Sequence, residues 1–193
     1  MRHLICVCLL FSALSAAHGA EQDPVAAVWR TQRLTFRYHS EGRMYRCDIL
    51  EHKIKQILVQ LGARDRLVVR HVGCDDFAGL ARLEVLMESP VIATEENVRA
   101  LTRHDSEDEL IARLHGAPLP SAENLERFPA AWESIALHRA PRVSLEAGDC
   151  ALVQQLRRQI LPKMSVQIIQ DIDRADCTQD HARLTVVALV AKL

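Results

Sequence analysis

The sequence predicts an α+β protein: a tandem duplication of a strand–helix–strand–strand unit, with mixed sheets carrying helices on one face, joined by a helical connector. Three observations predict it. The segments CDILEHKIKQIL, from Cys47, and CALVQQLRRQIL, from Cys150, stand 103 residues apart. The two tryptophans, Trp29 and Trp132, keep the same offset, as do Leu34 with Leu137 and Gln56-Ile57-Leu58 with Gln159-Ile160-Leu161. Cys47 to Cys74 and Cys150 to Cys177 are equal intervals of 27 residues. Further on, Ala81 to Val85 answers Ala182 to Val186 with the offset slipped to 101, the kind of slip that loop insertions introduce between repeats.

Before the first unit comes a leader. Arg2 and His3 make a basic start, Leu4 to Ala17 is almost unbroken apolar sequence, and Ala17-His18-Gly19-Ala20 supplies small residues before polar Glu21-Gln22-Asp23. That is the form of a secretory signal peptide cleaved after Gly19 or Ala20. The apolar run falls short of the roughly 20 residues a spanning helix needs. Cys6 and Cys8 leave with it. The expected organisation is a signal peptide at 1–20, a first unit at 21–88, a helical connector at 89–128 and a second unit at 129–193.

Within the first unit, Leu34, Phe36 and Tyr38 alternate with Thr35, Arg37 and His39, which predicts a strand with one buried face. Ser40 to Arg43 is a turn. From Asp48, the apolar residues Leu50, Ile54, Ile57, Leu58 and Leu61 recur at helical spacing, and Gly62 ends the helix. Strands follow at Leu67 to Val72 and at Ala81 to Met87. The second unit follows suit. Arg142 to Glu146 is expected as its first strand, with Asp149 as a helix cap. Val153, Leu156 and Ile160 form the buried helix face before Pro162, and Val166 to Ile172 and Arg183 to Val190 are the closing strands. In the connector, Thr94 starts a short helix. Ser106-Glu107-Asp108-Glu109 opens a second as a capping box, with Leu110, Ile111 and Leu114 buried and Gly116 as its stop. A brief helical stretch is expected around Asn124 to Phe128, and the whole connector is expected to lie over the sheets.

Cys47, Cys74, Cys150 and Cys177 survive processing, and four cysteines in an exported chain allow three disulfide connectivities. The matched intervals favour Cys47–Cys74 and Cys150–Cys177. In a right-handed strand–helix–strand crossover both strands end on one sheet edge, so the first pair of thiols emerges together. Each crosslink is worth roughly 3–4 kcal/mol in the chain-entropy model, a large share for a half-sized core.

Composition narrows the function. With Arg2 removed, 23 basic residues face 25 acidic ones, and the basic residues are scattered, so nothing points to nucleic acid or an anionic membrane. After signal cleavage no segment is long enough to span a bilayer. Among the motifs, Cys-x-x-Cys, His-Glu-x-x-His, Gly-x-Ser-x-Gly and a glycine-rich phosphate loop are all missing. Asp171, Asp173, Asp176 and Asp180 lack the glycine and terminal glutamate of a calcium loop and read as a solvated loop. Asp75-Asp76 reads as solvated turn beside a disulfide. His39 and His71 read as solvent-facing strand histidines. No cofactor, metal or catalytic residue is expected.

Phe36-x-Tyr38, Tyr45-x-Cys47, Leu61-Gly62-Ala63-Arg64, Phe128-Pro129-Ala130-x-Trp132, Gly148-Asp149-Cys150 and Gln159-Ile160-Leu161-Pro162-Lys163 resemble a group of exported, uncharacterised bacterial proteins. The resemblance spans most of the mature chain and implies export and a shared architecture, with no chemistry attached. The expected function is therefore a non-catalytic exported binding or interaction protein, periplasmic or secreted, whose partner is a protein, peptide or small ligand. The alternative is an envelope-directed hydrolase with its site at the repeat interface. A deep pocket lined by carboxylates or histidines would favour the enzyme, and an exposed apolar or strand-edge surface would favour binding.

Overall fold

The computed structural model describes residues 23–74, 77–116, 118–170 and 184–192. It is an α+β fold. A long first strand, β1 (Val25–His39), leads through the two-residue β2 (Tyr45–Arg46) into helix α1 (Cys47–Gln60), then β3 (Val68–Gly73), the short β4 (Phe77–Ala78) and β5 (Leu80–Ile92). Helices α2 (Glu95–Leu101) and α3 (Ser106–His115) precede β6 (Arg127–Ala136), α4 (Cys150–Gln159), β7 (Val166–Gln170) and β8 (Thr185–Ala191).

Among the described residues, six strands form one continuous sheet in the order β3-β5-β1-β6-β8-β7, and β2 pairs with β4 apart from it. Read from either edge the order is the same: the strand after the helix, then the last strand, then the first. Every neighbouring pair is antiparallel. The expected mixed sheets are thus corrected to a single antiparallel sheet. β1 and β3 do run in the same direction, as the crossover rule requires, but β5 lies between them. The two halves meet where β1 and β6 pair over four residues, Val25↔Ala130 to Val28↔Arg127.

The strand and helix periods hold where they meet this sheet. Phe36 and Tyr38 are fully buried, and so are Leu83 and Val85 opposite them on β5. Leu50, Ile54, Ile57, Leu58 and Leu61 all lie in the core beneath. Leu152, Val153, Leu156 and Ile160 of α4 enter the same cluster, together with Leu184, Val186 and Ala188, so both helices share one core. By strand alternation, a smaller cluster of Ala27, Phe128, Ala130 and Leu189 lies on the opposite face, where Trp29 stacks on Phe128 at 4.3 Å between ring centroids.

Gly62 follows the helix cap Leu61 with φ +96°, a conformation that suits glycine. A methyl group there would also meet the Leu189 carbonyl oxygen at 2.5 Å, because the helix end lies against β8.

Several expectations are corrected. Arg142 to Glu146 forms no strand. Glu146 instead heads a short 3-10 turn over Ala147–Asp149, and the first strand of the second half is β6, which carries Trp132 as β1 carries Trp29. Asn124 to Phe128 is not helical: Pro129 biases the residue before it toward extended geometry, and β6 has begun by Arg127. Thr94 caps α2, accepting from the Asn97 backbone. The capping box of α3 is Asp105 with Asp108, one residue before the expected Ser106, and Gly116 closes that helix in the left-handed conformation. Leu110, Ile111 and Leu114 are exposed, and no residue of α3 is buried. That helix does not cover the sheet. The strand expected at Ala81 to Met87 runs from Leu80 to Ile92.

Candidate functional site

Three places hold the chemistry that the fold brings together: a polar knot between the halves, a cleft beside it, and the solvent face of the sheet.

The knot forms where the turn before α1 meets the turn before α4. Asp149 is completely buried. It caps α4 by position, but its carboxylate is spent elsewhere. It accepts from Lys53 Nζ at 2.5 Å, from the Tyr45 hydroxyl, and from the Glu146 backbone N–H at 2.8 Å. Lys53, itself buried, also donates to the Ser144 carbonyl at 2.8 Å. Arg43 donates to Glu146 at 2.5 Å, and its carbonyl accepts from Tyr38 at 2.7 Å. Burial pushes the Tyr38 hydroxyl up to about 12, and burial followed by the Asp149 carboxylate pushes Tyr45 up as well. The hydrogen bond to Glu146 raises Arg43. Buried, hydrogen-bonded groups of this kind hold two elements in one register.

The cleft, about 430 Å³, is lined from the first half by Trp29, Gly62, Arg64 and Asp65 and from the second by Glu133 and Arg142. It contains no histidine. Each carboxylate faces a cation, Asp65 with Arg142 at 3.8 Å and Glu133 with Lys192 at 2.6 Å. Arg64 lies over the Trp29 ring at 4.2 Å and pairs with Glu88 and Glu126. This is a seam of opposite charges that meet across the two halves.

Of the expected site residues, Cys47 and Cys74 form a disulfide, their Cα atoms 6.2 Å apart. Cys150 is disulfide-bonded too, while Cys177 lies outside the described residues. So do Asp75, Asp76, Asp171, Asp173, Asp176, Asp180 and His181. His71 pairs with Glu51 of α1 through Nδ1, and Glu51 also accepts the His71 backbone N–H at 2.6 Å. His39 is exposed at the end of β1. Among the described residues, no group of three or more histidine, cysteine, aspartate or glutamate side chains is placed to hold a metal ion, and no helix is long and apolar enough to cross a membrane.

Sequence reasoning missed how the strand edges are closed. β1 runs past its short pairing with β6, so its far edge would be bare. Gln155 and Gln159, one helical turn apart on α4, fill it. Each side-chain amide bonds both backbone groups of one residue, Gln159 those of Arg37 at 2.9 and 2.8 Å and Gln155 those of His39 at 2.8 and 2.7 Å. Glu51 does the same for the β3 edge through the His71 N–H, and a bulge between His71 and Gly73 bends that strand. Adjacent glutamines at i and i+4 on a helix are the one signal that could have suggested it.

The solvent face of the first half is the third place. Val68 and Leu86 are cross-strand neighbours, and both are about half exposed, at 48% and 41%. Val72 and Leu80 are exposed as well. Arg33, Arg37, Arg70 and Arg82 stand among them on the same face. Arg70 binds Glu84 at 2.7 Å and, first among the causes, holds that carboxyl below its usual range.

No family model, no curated protein and no solved structure matches the chain.

Proposed function

We propose that the chain is an exported, non-catalytic interaction protein of a bacterial envelope or secreted space, built by duplication of one strand–helix–strand–strand unit with α2 and α3 in the connector between the copies. The duplication is supported by a geometric coincidence beyond the matched sequences. Ala26 pairs with Pro129 at the middle of the β1·β6 contact, and Arg43 binds Glu146. Each pair joins residues 103 apart, the repeat offset itself. Residues that touch their own equivalents lie on a two-fold axis, as in an isologous dimer interface. Export is supported by the signal-like leader and the disulfide chemistry.

The observation that carries the binding reading is the uncovered face of β1, β5 and β3. Both core helices pack on the other side, and Val68, Val72, Leu80 and Leu86 remain in solvent. Val68 and Leu86 stand side by side in the register, and neighbouring exposed apolar side chains on a folded chain mark interaction surfaces. The engaged carboxylates of the cleft favour this reading over a hydrolase. A photo-crosslinking residue at Leu86, in the protein expressed in its source organism, is expected to trap a discrete adduct that the same residue at Val187, on the second half, does not. Equal trapping at both positions, or none at either, would remove the reading. Intact-mass measurement of the exported form should place its first residue at Ala20 or Glu21; an unprocessed Met1 would remove the export proposal.

A further inference from the structure

Resting on the interaction reading, we infer that the solvent face of the first half docks an extended acidic polypeptide segment, with Arg33, Arg37 and Arg82 as its carboxylate contacts. The register sets these residues in rows across the sheet. Val68, Leu86 and Arg33 form one row, Arg70, Glu84 and Thr35 the next, and Gly73, Arg82 and Arg37 the third. Four arginines therefore surround one glutamate in a chain whose net charge is −1.

Glu84 is bound by Arg70, and Arg33 and Arg82 also act on it electrostatically without closing an ion pair. Arg33, Arg37 and Arg82 have no ion-pair partner among the described residues. Arg37 and Arg82 also stand directly opposite each other, and like charges in that position destabilise a sheet. An anion between them removes the repulsion, and a planar guanidinium pair matches a carboxylate by two parallel hydrogen bonds.

The shape selects the kind of anion. The surface is a pleated face, and Arg33 and Arg37 lie four residues apart on one strand, roughly 13 Å. An extended chain with acidic residues at alternate positions puts carboxylates on one side at a spacing of about 7 Å, so every second one reaches an arginine. Leu86 and Val68 provide apolar contact between the charges. The rows contain no aromatic ring on which nucleic-acid bases could stack, and Glu84 at their centre opposes a dense phosphate array. The β3 edge itself is occupied by Glu51 and bent by the bulge, which favours docking on the face over addition of a strand at the edge.

The test uses the full mature chain and a fluorescein-labelled peptide of three Glu-Val-Glu-Thr repeats, read by anisotropy. Binding is expected, weakened by added salt and lost with a Lys-Val-Lys-Thr peptide. Arg37→Gln and Arg82→Gln, each with an unchanged thermal melt, are each expected to weaken it about tenfold. Ser134→Glu on the second half should leave it unchanged. No binding of the acidic peptide, or equal binding by wild type and both arginine variants, would overturn the inference. So would a preference for phosphatidylglycerol vesicles over the peptide, which would assign the arginines to a lipid surface. A crosslinked partner at Leu86 together with no peptide binding would leave the interaction reading standing and sink the acidic class alone.

Discussion

The two halves of the sheet have the same strand order and opposite surfaces. On the first, the rows facing solvent contain Arg33, Arg37, Arg70, Arg82 and Glu84. Among the described residues of the second, the outward rows are Gln167, Val187 and Ser134, then Thr185 and Ala136, none of them charged, while Arg183, which answers Arg82 in sequence, lies outside the described residues. Inward, the halves agree: Ile57 and Ile160, 103 residues apart, are both essentially fully buried, as are Leu58 and Leu161. A shared core must keep its volumes and its alternation, whereas an outward strand position is constrained by what it meets in water. The charged outward rows of the first half are therefore the place to test for binding.

The comparison assumes that the halves are welded into one cooperative unit, and the sharpest way to break it is at the weld. Asp149→Asn leaves the Lys53 ammonium buried beside a neutral amide. It is expected to cost about 3–5 kcal/mol in urea unfolding, as loss of one partner of a buried pair does; a cost below about 1 kcal/mol would mean that the knot is solvated. Ile57→Ala and Ile160→Ala should each cost about 2–5 kcal/mol. Both should shift a single transition, because one cluster contains both side chains. Two separated unfolding steps would show independent halves.

Tyr38 supplies a gentler probe. Its folded pKa, about 12, is raised above the usual 10. The unfolded chain therefore loses this proton first, and stability present below about pH 10 should fall by about 2–3 kcal/mol as pH climbs toward 12. Tyr38→Phe should flatten that part of the profile. The smallest effect is expected at α3, where Leu114→Ser, at an exposed position, should change stability by less than about 0.5 kcal/mol.

What the sequence revealed of this fold follows from the range of each signal. The face of α1 was legible because five apolar residues at helical spacing met a core, and β1 because alternation met the same core. The identical spacing in α3 was misleading. Periodicity groups Leu110, Ile111 and Leu114 on one side of a helix, but nothing in the chain says whether another surface covers that side. β6 was hidden by Pro129 and by adjacent buried residues at Ala130 and Ala131, which break the period of two; the matched tryptophan was the better guide. The knot was invisible. Lys53 lies inside an ordinary amphipathic run, and its partner Asp149 sits 96 residues away, so only the folded chain brings the charges together. The arginine rows were hidden for the same reason: scattered along the sequence, they gather only when three strands are laid in register.

The close approach of Gly62 to the Leu189 carbonyl has a consequence for how such a chain comes to maturity. The end of the first helix meets a strand far along the sequence, so that contact closes a long loop. Contacts so distant in sequence make for slow folding. The sulfur bridge between Cys47 and Cys74 joins residues much nearer in sequence and closes a far shorter loop, at a lower entropic cost.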